Sequence, residues 1–169
     1  MEESKIKSYL RKYLYFLLAG LTYLIIHEGV HVILANIFGA FEGIKILPFG
    51  VEVEITQPLT IDGIRLALFS GLSSITTIVI GYVLLLLTPK ILSLKAQPIK
   101  NYIYYVTFIF LLLDPVYISI LSFLVSGDIN GIALGLNLPF MAIRGVYFIA
   151  AAFNGYLVYK KLYPAYVIK

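Results

Sequence analysis

The chain has only two histidines, four residues apart in His27-Glu28-Gly29-Val30-His31, an HExxH pattern. In a helix, residues i and i+4 lie one above the other on a single face, so both imidazoles can reach one metal ion. Two imidazoles and a third protein ligand leave zinc a fourth position for water. Glu28, beside His27, is near enough to take the proton of that water without occupying the metal. Zinc acidifies the water and polarises a peptide carbonyl, and the carboxylate accepts the proton. The pattern predicts one Zn2+ per chain, with His27 and His31 as ligands and Glu28 as catalytic base. The plainer alternative is a buried His/Glu hydrogen-bond network that only pins helices together.

The chain has no cysteine, so thiolate zinc sites, disulfides and iron–sulfur clusters are excluded and the third ligand must be an acid. Glu2 and Glu3 are terminal, and Glu42, Glu52 and Glu54 fall on a connection with strand character. The remaining acids are Asp62, Asp114 and Asp128. Asp114 precedes Pro115 inside an apolar stretch, where a proline kink calls for polar help. Asp128 lies in Ser126-Gly127-Asp128-Ile129-Asn130-Gly131. Gly127, Gly131 and Gly135 recur every four residues, a spacing that lets a backbone approach another helix closely. Asp114 and Asp128 both stay open as third ligand. The plain readings are a structural acid for Asp114 and, for Asp128, a polar turn with the aspartate at a helix N-terminus.

The elements that must position these residues are written in the composition. Sixty per cent of the 169 residues are apolar and 13% charged, and the mean hydropathy is +0.93. A soluble domain carries about 25% charged residues. This excludes disordered, collagen-like and nucleic-acid-binding classes, none of which can be built with so little solvated charge. A stretch of about 20 apolar residues crosses a bilayer as a helix, because lipid offers the backbone no other hydrogen-bond partner. Four qualify: Tyr13 to Phe38, Ile64 to Leu87, Tyr102 to Leu124 with Asp114-Pro115 inside it, and Leu138 to Tyr159 with Arg144 inside it. The first is too long, and too interrupted by polar residues, for a cleaved signal peptide. Between spans one and two, apolar and polar residues partly alternate from Ile44 to Ile55 about Pro48-Phe49-Gly50, the pattern of a short β-hairpin. The expected fold is an all-α polytopic membrane protein of about four transmembrane helices with that hairpin, residues 1–169 forming one domain.

Basic residues set the expected orientation. Lys5, Lys7, Arg11, Lys12, Lys90, Lys95, Lys100, Lys160, Lys161 and Lys169 fall on one side of such a topology. The other side holds Lys45 and Arg65, with Arg144 inside span four. Cytoplasmic loops carry the excess of Lys and Arg, which predicts a multi-pass cell-membrane protein with both termini in the cytoplasm. The net charge of +4 is an orientation signal and needs no nucleic-acid partner.

An HExxH in a membrane helix, followed by a hairpin, further helices and a late aspartate, resembles the site-2 protease family of intramembrane zinc metalloproteases. His27, Glu28 and His31 match its motif residue by residue. Phe69-Ser70-Gly71-Leu72 weakly resembles its small-residue helix, and Asp114-Pro115-Val116-Tyr117 with Ser126-Gly127-Asp128 resembles the ending of its short members. The match spans roughly residues 20–131, and only HExxH is sharp. The resemblance implies that Asp128 is the third zinc ligand, with Asp114 beside the site, and that a membrane-spanning or membrane-associated protein is the substrate. The chain departs from the family in lacking a helix before the HExxH helix and a PDZ domain, in carrying Asp114 where asparagine is common, and in having Ile129 after Asp128 instead of glycine. Charge counting also places the histidines in the outer half of the bilayer, whereas the family's zinc lies nearer the cytosol; the face to which the site opens stays open. The expected activity is hydrolysis of a substrate peptide bond within the lipid bilayer. A non-proteolytic metal-binding or transport protein, or a scaffold, is the alternative class. Oligomeric state is not legible.

Overall fold

The computed structural model describes residues 2–47, 50–56 and 63–167, with side chains from residue 5 onward. Pro48 and Phe49 of the expected turn, and Asp62, lie outside the described residues. Helix α1 runs from Glu2 to Ile37, eleven residues earlier than hydropathy alone suggests, because its basic first turns contain no proline to stop it. Gly39, at φ +65°, ends it: Ala40 N–H bonds Ala35 C=O at 2.8 Å and Gly39 N–H bonds Asn36 C=O at 3.0 Å, a Schellman cap. Strands β1, Phe41–Leu47, and β2, Gly50–Ile55, then pair antiparallel, with Ile44 opposite Val53 and Ile46 opposite Val51. Val53 packs with Leu34, Ala35, Ala40 and Phe69, so the hairpin is seated at the end of α1, one turn beyond His31.

Helix α2 is Gly63–Leu86, followed by the short α3, Thr88–Leu92. Helix α4, Gln97–Ser119, continues into a 3-10 turn at Leu121–Phe123. Helix α5 is Asp128–Leu136, α6 is Phe140–Leu157, and a π-helical turn at Val158–Leu162 leads into α7, Tyr163–Val167. Four helical stretches among the described residues are thus long and apolar enough to cross a membrane. Leu21 and Ile25 on α1 and Ile149 and Phe153 on α6 lie exposed on the outside of the bundle.

Side-chain pairs give the helix directions. Phe16 meets Tyr105, Tyr23 meets Phe110 and His27 meets Asp114, so α1 and α4 run parallel. Thr77 bonds Asp114 and Gly81 lies against Leu111, so α2 is antiparallel to them. Asn154 bonds Leu111 and Arg144 bonds Ser122, so α6 is antiparallel as well. The start of α1, the α3 connection and the end of α6 therefore share one end of the bundle, and with them the lysines and arginines from Lys5 to Lys12, Lys90 to Lys100 and Lys160 to Lys161.

The proline in α4 has a specific partner. Pro115 has no N–H, so the Leu111 carbonyl one turn back loses its helical donor. Asn154 Nδ2 donates to that carbonyl at 2.6 Å, and Tyr82 O–H donates to Asn154 Oδ1 at 2.6 Å. Asn154 and Leu111 are fully buried. The freed carbonyl is satisfied by α6, which leaves Asp114 to other work. Asn154→Leu strands a buried carbonyl and is expected to cost about 1–3 kcal/mol; unfolding in detergent measures it, and an unchanged midpoint would refute this role.

Candidate metal centre

Three elements bring the chemistry together. His27 and His31 stand one turn apart on α1, their Nε2 atoms 3.3 Å from each other. Asp128 straddles the pair, with Oδ2 3.1 Å from His27 Nε2 and Oδ1 3.4 Å from His31 Nε2. Candidate ligand atoms of all three residues lie within 4.8 Å of one another. Both histidines are buried.

Asp128 reaches the histidines because the chain folds back after α4. It is the first residue of α5, which lies against the first half of α2. A Cβ on Gly131 would stand 1.8 Å from Ser70 Oγ, and one on Gly135 would stand 2.4 Å from the Gly63 carbonyl. Only glycine permits that approach. Gly127, just before Asp128, likewise lies under the Tyr117 hydroxyl, where a Cβ would come within 2.1 Å. Asn137, at φ 51°, closes α5 with a second Schellman cap, in which Leu138 N–H bonds Ala133 C=O at 3.0 Å. The glycine spacing thus folds the segment into the protein, and the aspartate is both a helix N-terminal residue and a neighbour of the histidines.

Asp114 lies on the far side of His27 and is fully buried. Tyr23 O–H donates to Asp114 Oδ1 at 2.5 Å, and Thr77 O–H donates to Oδ2. A carboxylate only accepts, so the tyrosine proton is committed to it. The tyrosine oxygen, 3.0 Å from His27 Nδ1, then accepts from an Nδ1–H, while Asp114 Oδ1 stands 3.4 Å from the same nitrogen. In the neutral imidazole this puts the proton on Nδ1 and leaves the Nε2 lone pair on the side of Asp128. Carboxylates that orient metal-binding histidines do so through this hydrogen bond. His31 is held by packing, its ring 4.8 Å from Phe69, and its Nδ1 is buried with no hydrogen-bond partner among the described residues.

These residues fit a tetrahedral cation. Two imidazole nitrogens, each about 2.0–2.1 Å from zinc, stand about 3.3 Å apart. Lone pairs from two imidazoles and a carboxylate converge with the spacing such an ion requires. Glu28, half-buried on the same turn of α1, is the nearest further acid in sequence. Glu42, Glu52 and Glu54 are exposed on the hairpin, Glu54 3.9 Å from Lys45.

Sequence reasoning passed over Tyr23 and Thr77. Tyr23 was findable, since it stands four residues before His27 and extends the face of the motif by one turn. Thr77 lies in the Ser73-Ser74-Ile75-Thr76-Thr77 run, whose polarity in an apolar helix was the available signal. No protein-family model, curated protein or solved structure matches the chain.

Proposed function

We propose that the chain is an intramembrane zinc metalloprotease of the site-2 type. The observation that carries this reading is the convergence of Asp128 with His27 and His31, which stand on a helix long and apolar enough to cross a bilayer, with Glu28 following His27 in the sequence. Zinc bound there would supply an acidified water and a Lewis acid for the scissile carbonyl. Glu28 takes the proton of the attacking water at a carboxylate oxygen and returns it to the departing amide nitrogen. Tyr23, Asp114 and Thr77 keep His27 in the tautomer that ligates through Nε2. A transmembrane substrate must unwind before its amides are accessible. The outer edge of β2, which carries no further strand among the described residues, offers an unwound segment main-chain hydrogen bonds.

The test is zinc content together with cleavage of a labelled membrane substrate, in wild type and Glu28→Gln. Zinc with Glu28-dependent cleavage supports the protease; zinc with cleavage absent from both leaves a metal-binding, transport or scaffold protein.

The shared basic end, read with the positive-inside rule, supports cytoplasmic termini with the hairpin on the opposite face. Cysteines introduced at Ser93 and Glu52, both exposed, test this in a chain with none of its own. A membrane-impermeant reagent added outside intact cells is expected to label Glu52→Cys only. Labelling of Ser93→Cys alone would reverse the orientation and place the histidines nearer the cytosol.

A further inference from the structure

Arg144 is a guanidinium inside a membrane-grade helix, and the metal chemistry makes no use of it. Ionisable groups at such positions are costly and are retained for a task. Its Nε donates to Ser122 Oγ at 3.0 Å and its Nη2 donates to the Ser122 carbonyl at 3.0 Å. The guanidinium carbon stands 3.7 Å from the centre of the Phe123 ring. Ser122 Oγ in turn donates to the Ile118 carbonyl at 2.6 Å. The cation is thus spent on the 3-10 turn that ends α4, five residues before Asp128.

Besides its own backbone bonds, the turn is met by the Tyr117 hydroxyl, 3.4 Å from the Ser126 carbonyl. Phe123, Leu124 and Val125 are exposed, Leu124 by 85%. The segment is anchored apolarly only farther on, where Ile129 and Ile132 pack with Ile118 and with Ile143, the neighbour of Arg144 on α6. A planar fork making two hydrogen bonds and stacking on a ring holds a carbonyl in one place and one orientation, which an ammonium cannot do. We propose that Arg144 is a positioning residue: by clamping Ser122 from α6, it fixes the turn that delivers Asp128 to His27 and His31. Span four then has a role in the site without contributing a ligand.

The clamp stands on geometry alone; its effect on metal binding rests on the proposed metal site. Two readouts keep these apart. In metal-free protein in detergent, Arg144→Met is expected to speed hydrogen exchange of the 121–127 amides while those of α2 keep their protection. In the same variant, zinc affinity measured against a competing chelator is expected to fall about tenfold, the range for partners that orient a ligand. Arg144→Lys, which keeps the charge but not the fork, is expected to restore neither readout fully. Should Arg144→Met fail to fold, Ser122→Ala removes the Nε partner and the bond to the Ile118 carbonyl but keeps the carbonyl that Nη2 meets, and is expected to shift both readouts the same way by less. Unchanged exchange at 121–127 would overturn the clamp. If wild type binds no zinc but exchange rises at 121–127, the clamp holds and the metal reading alone fails.

Discussion

Glu28→Gln is expected to keep full metal content and to lose hydrolysis by about 10²–10⁴-fold, the contribution typical of a positioned general base. Glutamine preserves the shape of the side chain and its hydrogen-bonding reach, but cannot accept a proton from water. His27 and His31 are untouched, and the network that orients His27 is made by Tyr23, Asp114 and Thr77, without Glu28. The variant therefore separates chemistry from ligation. His27→Ala and His31→Ala are expected to lose both. Full activity in Glu28→Gln would remove the carboxylate from the mechanism.

The second large effect concerns the two buried aspartates. Asp128 faces both Nε2 atoms, whereas Asp114 faces His27 only at Nδ1. Asp128→Ala deletes a ligand and is expected to abolish stoichiometric zinc. Asp114→Asn keeps the volume and one acceptor but weakens the bond that holds the Nδ1 proton; an about 10–100-fold loss of affinity is expected, with measurable activity left. Chelator competition distinguishes the two. Loss of metal in Asp114→Asn with retention in Asp128→Ala would exchange the roles.

Much of the architecture was legible because lipid leaves the chain few choices. Apolar runs of about 20 residues marked the four long helices, and alternation from Ile44 to Ile55 marked the hairpin, although β1 begins at Phe41. Boundaries set by hydrogen bonding were harder to read. The first turns of α1 are polar yet helical, which hydropathy does not register. Of the two aspartates the sequence left open, Asp114 meets His27 on its Nδ1 side. The approach of Asp128 depends on a chain reversal and on contacts between Gly131 and Ser70 and between Gly135 and Gly63. The four-residue glycine spacing signalled a close helix contact without naming the partner helix. The division of labour at Pro115, with Asn154 meeting the freed carbonyl and Asp114 turned to His27, needed residues 43 or more positions apart to be seen together.

The most direct test is the metal content of the purified chain, measured by elemental analysis after extraction from membranes of zinc-replete cells. One zinc per chain is expected in wild type and in Glu28→Gln, with none in a His27→Ala/His31→Ala double variant. A folded wild-type chain that carries no more zinc than the double variant would contradict the metal site and the protease reading built on it.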